Sequence, residues 1–134
     1  MAEPRVLVSG TAEGRTLVLD EPLGFWGGVD PETGTIVDVH HPQTGANVAG
    51  RVLVMPGGRG SSSSSSVLAE AVRAGTAPAA IVLREPDAIL ALGSIVAREL
   101  YGRAVPVVVT DAPLEDGRRV VVDADDRGVR LSSA

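Results

Sequence analysis

The chain has 134 residues, 44% of them hydrophobic and 2% aromatic, and carries a net charge of −5. That is one domain's length, able to bury roughly two thirds of its unfolded surface, so general disorder is excluded. With Phe25, Trp26 and Tyr101 its only rings, the core must be aliphatic, and the stacked platforms of single-stranded nucleic-acid binders are excluded.

Cysteine is absent, which removes disulfides, thiol catalysis and any cysteine-ligated metal held by this chain alone. The two histidines are adjacent, and no carboxylates stand at the spacings a zinc site needs, so no metal ligands are expected. All 12 basic residues are Arg, which removes Schiff-base chemistry and the phosphate-binding lysine of a P-loop. The opening MAEPRVLVSG does not read as a signal peptide, and no apolar run is long enough to span a membrane. A soluble, cytoplasmic protein is expected. Residues 1–50 carry two Arg against seven acids, residues 51–110 six against four, and residues 111–134 four against six. An acidic chain with a mildly basic middle suits a small anion better than a polyanion.

The first fifty residues read as β structure. Arg5–Ser9 and Thr16–Asp20 are short strands separated by Gly10 and Gly14, with Thr35–Val39 as a third candidate. Between them Gly24-Phe25-Trp26-Gly27-Gly28 sets two rings among three glycines, and Asp30-Pro31-Glu32-Thr33-Gly34 reads as a turn. The period then changes. Arg51–Met55 is a continuous apolar strand. Val67, Leu68, Ala71 and Val72 recur at helical spacing up to a cap at Gly75. Ala79–Leu83 is a second buried strand. Ile89, Leu92, Val96 and Leu100 mark a second amphipathic helix ending at Gly102, and Val105–Val109 is the third strand. This β-α-β-α-β order implies right-handed crossovers and a parallel sheet covered by helices. Arg119–Asp123 and Gly128–Leu131 read as a closing hairpin, giving one α/β domain with added antiparallel strands.

The informative segment is Pro56-Gly57-Gly58-Arg59-Gly60 followed by six serines, Ser61 to Ser66. A floppy tether between a buried strand and a helix would break the βα unit, so the segment is read as a strand-to-helix turn whose first serines cap the helix. Such a turn offers backbone N–H groups and the positive end of a helix dipole to an anion. Arg59 adds a fork for carboxylate or phosphate, and the serine hydroxyls can bind the same anion or move a proton. Three familiar motifs fail here. Gly58-Arg59-Gly60-Ser61-Ser62-Ser63 lacks the last glycine of a dinucleotide fingerprint. There is no Gly-Lys-Ser/Thr, and there is no G-x-S-x-G elbow, so an isolated serine hydrolase is not expected.

Gly58-Arg59-Gly60-Ser61-Ser62, Ser65 and Gly75-Thr76-Ala77-Pro78-Ala79-Ala80-Ile81 together resemble the small subunit of the aconitase X family. Glu21-Pro22-Leu23-Gly24-Phe25-Trp26-Gly27-Gly28-Val29-Asp30, Thr33-Gly34, His41-Pro42 and Gly45 resemble it too. Gly24, where the pattern has Ser, and the unbroken serine run depart from it. The resemblance implies one swivelling β/β/α domain over residues 1–134, capping a larger subunit whose cysteines hold an iron–sulfur cluster. It also implies dehydration of a small hydroxy acid. Bacterial members are associated with cis-3-hydroxy-L-proline, giving Δ1-pyrroline-2-carboxylate; archaeal members act on mevalonate 5-phosphate. The Arg-only composition points to the bacterial substrate.

Carried onto this sequence, the family pattern makes Ser61 the proton acceptor, an alkoxide stabilised by Arg59 and the helix N-terminus. Arg59, Gly60, Ser62 and Ser65 become substrate-binding residues. The alternative weighed against that role is an ordinary helix cap. Phe25 and Trp26 are either an interface anchor or core plugs, His41 is read as part of a turn, and Gly93-Ser94 as close helix–sheet packing without chemistry. Two other functions compete. One is a non-catalytic small-anion module using the same turn. The other is a phosphohistidine carrier, for which His40 and His41 are poorly placed.

Overall fold

Every residue of β3 (Val52–Met55) and β4 (Ala80–Leu83) is buried, because both faces of these strands are covered. The computed structural model describes residues 4–134. Leu53, Met55, Ile81 and Leu83 face one core, which α1 (Ser64–Ala74) and α2 (Ala88–Tyr101) close with Leu68, Val72, Leu90 and Ala97. Val52, Val54, Ala80 and Val82 face the other way, onto Val120, Val122 and Ala124 of β6 (Arg119–Asp125). Each fully buried large aliphatic contributes about 1.5–3 kcal/mol relative to exposure, so two faces of Val, Leu and Ile suffice without aromatic mass.

With β1 (Arg5–Val8), β2 (Gly10–Val18), β5 (Val107–Val109) and β7 (Gly128–Ser133), these strands form one mixed sheet in the order β1-β5-β4-β3-β2-β6-β7. Pairs β2–β3, β3–β4 and β4–β5 are parallel, and β1–β5, β2–β6 and β6–β7 are antiparallel. The step β3-α1-β4-α2-β5 always moves the same way across the sheet, and both helices pack into the same core. Right-handed crossovers in one direction produce that arrangement. The sheet curls until β1 approaches β6 and β7 at its far edge, a near-barrel.

Both helices end as expected, on Gly75 and Gly102 in the left-handed region with φ of 80° and 69°. Three local expectations change. Thr35–Val39 forms no strand: Ile36 alone enters the core, Val37 and Val39 are exposed, and only single bridges join Val29 to Ile36 and Thr35 to Asn47. Gly10 and Gly14 are not a spacer between two strands; β2 opens at Gly10 and runs through Gly14. A Cβ on Gly14 would stand 2.6 Å from the Gly50 carbonyl oxygen, so this glycine marks a close approach of backbone instead. In α2 the buried stripe is Leu90, Gly93, Ser94 and Ala97, whereas Leu92 and Leu100 are exposed. Small residues on that stripe let α2 lie close against α1; a Cβ on Gly93 would be 2.7 Å from the Ser65 carbonyl oxygen.

Candidate functional site

The turn after β3 sits at the carboxyl edge of the parallel strands, where open α/β sheets place their ligands. Leu23 bridges Gly58 in parallel, which ties the turn to the long excursion between β2 and β3. Gly60 takes a φ of +95°, so the chain reverses there and lifts Ser61 to the surface. Ser61 Oγ accepts a hydrogen bond from the Ser63 amide at 3.0 Å, and its carbonyl accepts from the Ser64 amide at 3.0 Å. Ser63, not Ser61, occupies the cap position of α1, and its side chain makes no capping bond. The amides of Ser63 to Val67 all bond within the turn, which leaves those of Gly60, Ser61 and Ser62 without an acceptor among the described residues.

Arg59, Gly60 and Ser61 line a hollow of about 70 Å³ together with Leu23, Phe25, Gly58, Ser64, Asp87, Ile89 and Leu90. Arg59 is exposed on the rim, and a guanidinium nitrogen lies 3.7 Å from a Glu21 carboxylate oxygen. A long pair between two half-exposed side chains is worth at most about 1 kcal/mol, so Arg59 can exchange Glu21 for a bound anion at little cost. Ser62 and Ser65 do not line the hollow. Ser65 Oγ donates to the Ser62 carbonyl at 2.8 Å, which ties the turn to the first turn of α1.

The six serines therefore divide by environment. Ser61, Ser62, Ser63 and Ser66 are exposed. Ser64 is buried, and its Oγ accepts from the Trp26 amide at 3.0 Å, fixing the glycine-flanked aromatic pair over the helix start. Phe25 is fully buried in the core, the plug considered for it, whereas Trp26 is 61% exposed beside the site. Gly24 lies against Arg59: a Cβ there would meet the Arg59 carbonyl oxygen at 2.5 Å, so this turn is packed for glycine where the family pattern has Ser. His41 is buried in a turn. Its Nδ1 accepts from the Gln43 amide at 3.0 Å, which leaves Nε2–H to donate to the Glu21 carbonyl at 3.2 Å. Both nitrogens are engaged, so His41 serves the turn that carries Glu21.

Two site residues were missed by the sequence reading. Ser64 has nothing in a run of identical residues to set it apart. Asp87 caps α2, its Oδ1 accepting from the Ile89 and Leu90 amides at 2.9 and 3.0 Å, and an Asp before an apolar run was the available signal.

A model of the family described as "Aconitase X swivel domain" matches residues 1–131. The chain belongs to that family. It is 41% identical to the phosphomevalonate dehydratase small subunit of Methanothermobacter thermautotrophicus, over 95% of this chain and 96% of that one. It is 57% identical over 104 residues to the cis-3-hydroxy-L-proline dehydratase of Pseudomonas aeruginosa. That alignment takes 78% of this chain but only 18% of the relative, so the chain spans less than a fifth of that protein's length. Among solved structures, Thermococcus kodakaraensis aconitase X superposes with a TM-score of 0.84 at 36% identity, covering 98% of this chain and all of that one. The swivel domain's mixed sheet and two helices are thus the shared fold.

Among the described residues no group of three or more His, Asp or Glu could hold a metal ion, and the sequence has no thiolate. An iron–sulfur cluster does not fit the donors of this chain. Nor is any helix among the described residues long and apolar enough to cross a membrane.

Proposed function

We propose that this swivel domain supplies one wall of the active site of an aconitase X-type hydro-lyase, a dehydratase of small hydroxy acids. On this reading the other wall, with the cysteines and the iron–sulfur cluster, belongs to a larger partner, and the chain is inactive without it. The hollow carries the argument. Its volume of about 70 Å³ is well short of the roughly 300 Å³ at which ligand pockets begin, yet it is lined by Arg59 and Ser61 beside unpaired amides. Its apolar floor, Leu23, Phe25 and Leu90, is fully built.

Removing water from a hydroxy acid breaks a C–H bond beside the carboxylate and a C–O bond on the neighbouring carbon. Here Ser61 Oγ, as an alkoxide, accepts the proton and becomes a neutral hydroxyl. The electron pair left on carbon forms the new double bond as the C–O bond breaks. The hydroxyl departs on the partner's side and takes a proton from solvent to become water, and Ser61 returns its proton to solvent to restore the alkoxide. A free serine is far too weak a base for this. The Gly60, Ser61 and Ser62 amides, the start of α1 and the Arg59 guanidinium all lower the energy of an anion at this point. Arg59 leaves Glu21 to bind the substrate carboxylate. Ser62 and Ser65 support the turn's shape, and the substrate contacts assigned to them run through Gly60 and the Ser62 amide.

We assign cis-3-hydroxy-L-proline as substrate, supported by the 57% identity to the bacterial dehydratase. Loss of the C2 proton and the C3 hydroxyl gives the C2=C3 enamine, which tautomerises, N–H proton to C3, to Δ1-pyrroline-2-carboxylate. Mevalonate 5-phosphate is the second reading, favoured by the end-to-end match to the archaeal small subunit. The test is Ser61→Ala in the assembled enzyme. It should lose at least 1,000-fold in kcat with assembly intact; retention of a tenth of the wild-type rate would refute the assignment.

A further inference from the structure

Asp87 sits between two elements. One of its carboxylate oxygens caps α2, accepting the Ile89 and Leu90 amides. The other, Oδ2, faces Gly58, and a Cβ built on Gly58 would fall 1.9 Å from it, inside any possible contact. Gly58 has no positive φ, so the glycine is there for space rather than for conformation. Its Cα hydrogen stands where a side chain would be and points at Oδ2, the geometry of a weak C–H···O contact. On the other side of the serine turn, α2 makes a second contact of the same kind. Gly93 lies so close to α1 that a Cβ would be 2.7 Å from the Ser65 carbonyl oxygen, and Ser65 Oγ in turn holds the Ser62 carbonyl. The segment Gly58–Ser65 is thus held against α2 at both ends.

We infer that Asp87 is a positioning residue for the Arg59-Gly60-Ser61 turn, holding it through Gly58 while anchoring the start of α2. Its functional consequence rests on the proposed role of Ser61; its structural consequence does not. Asparagine distinguishes this role from simple capping. The Ile89 and Leu90 amides demand an acceptor, so Asp87→Asn must point its amide oxygen at them and turn its NH2 towards Gly58. Asn caps helices as well as Asp does, so α2 keeps its cap while the contact with the turn changes from acceptor to donor.

The experiment measures the amide NMR shifts of Gly60, Ser61 and Ser62 in the full chain, its melting temperature, and kcat and KM in the assembled enzyme. For Asp87→Asn we expect displaced shifts at those three amides, a melting temperature within a few degrees of wild type, and a kcat at least fivefold lower with KM changed less than twofold. Gly58→Ala should displace the same three amides. Asp87→Ser keeps a capping hydroxyl and cannot reach Gly58, so it too should displace those three amides, and adding Gly58→Ala to it should displace them little further. Unchanged shifts in both Asp87→Asn and Gly58→Ala would overturn the inference. Displaced shifts with full turnover would uphold the positioning and count against Ser61 as the base.

Discussion

Ser94 tests how α2 is fixed to the sheet. It is completely buried; its Oγ donates to the Val105 carbonyl and accepts from the Val105 amide at 2.8 Å. One hydroxyl therefore satisfies both backbone groups of a residue that is itself 4% exposed. Ser94→Ala leaves a buried N–H and a buried C=O without partners, each costing about 1–3 kcal/mol. We expect a loss of about 2–4 kcal/mol, a large part of a small domain's stability. At roughly 3–5 °C per kcal/mol for a chain of this size, the melting temperature falls by about 6–20 °C. Urea unfolding followed by far-UV circular dichroism measures it, with an unchanged m-value showing that the folded state stays compact. Ser94→Thr retains the hydroxyl but adds a methyl group to a site with no free space, so it also destabilises, by about 1–3 kcal/mol. A Ser94→Ala change below about 0.5 kcal/mol would refute the reasoning, because the Val105 groups would then have found other partners.

Phe25 and Trp26 should separate in the same assay. Phe25→Ala, from a fully buried site, costs about 3–5 kcal/mol. Trp26→Ala, at 61% exposure, stays within roughly 0.5 kcal/mol, and the reverse order would contradict their placement. Acid sensitivity follows from Asp125, whose carboxyl is held below the usual range by the hydrogen bond from Arg130, with amides of Arg127 and Gly128 assisting. A carboxyl depressed in the folded state stabilises above its unfolded pKa, and the gain is lost as pH falls through the folded value. The wild type should therefore exceed Asp125→Asn slightly at neutral pH, with the gap closing on acidification and shrinking in high salt. A gap that ignores pH would refute this origin.

The parts of the fold legible in the sequence are those set by local rules. The runs Arg51–Met55 and Ala79–Leu83 read as buried strands flanking a helix, and Gly75 and Gly102 stop the helices for a backbone reason that needs no tertiary context. Val37 and Val39 misled because β-branched residues suit a strand, yet nothing pairs with Thr35–Val39 beyond single bridges; tertiary pairing overrides propensity. Gly14 misled in the opposite sense, since a glycine required by close backbone approach looks the same in sequence as one required by a turn. The stripe of α2 was misplaced because Leu92 and Leu100 outweigh Gly93 and Ser94 in hydrophobicity, while helix contact favours the small pair.

At the proposed site, the turn that carries Arg59, Gly60 and Ser61 was legible because a glycine-rich segment between a buried strand and an amphipathic helix reads as a strand-to-helix turn, whereas the roles proposed for those residues come from the family resemblance. The division of labour within Ser61 to Ser66 was not legible, since identical residues differ only in where the helix begins and in what packs on them. Ser64 is set apart by the Trp26 amide, thirty-eight positions away. Asp87 is set apart by Gly58, on a different strand-to-helix connection. Contacts of that range leave no periodic trace.

The central claim is that this domain contributes one wall of a shared site. Mild affinity capture of the chain from its native cells, with the captured protein analysed for partner identity, iron and acid-labile sulfide and assayed for turnover of cis-3-hydroxy-L-proline, tests it most directly. The account predicts a larger, cysteine-bearing, iron-containing partner and dehydration only when the two are together. Capture of the chain alone, or with a partner free of iron and sulfide, would contradict it and leave a small-anion binding module as the better description.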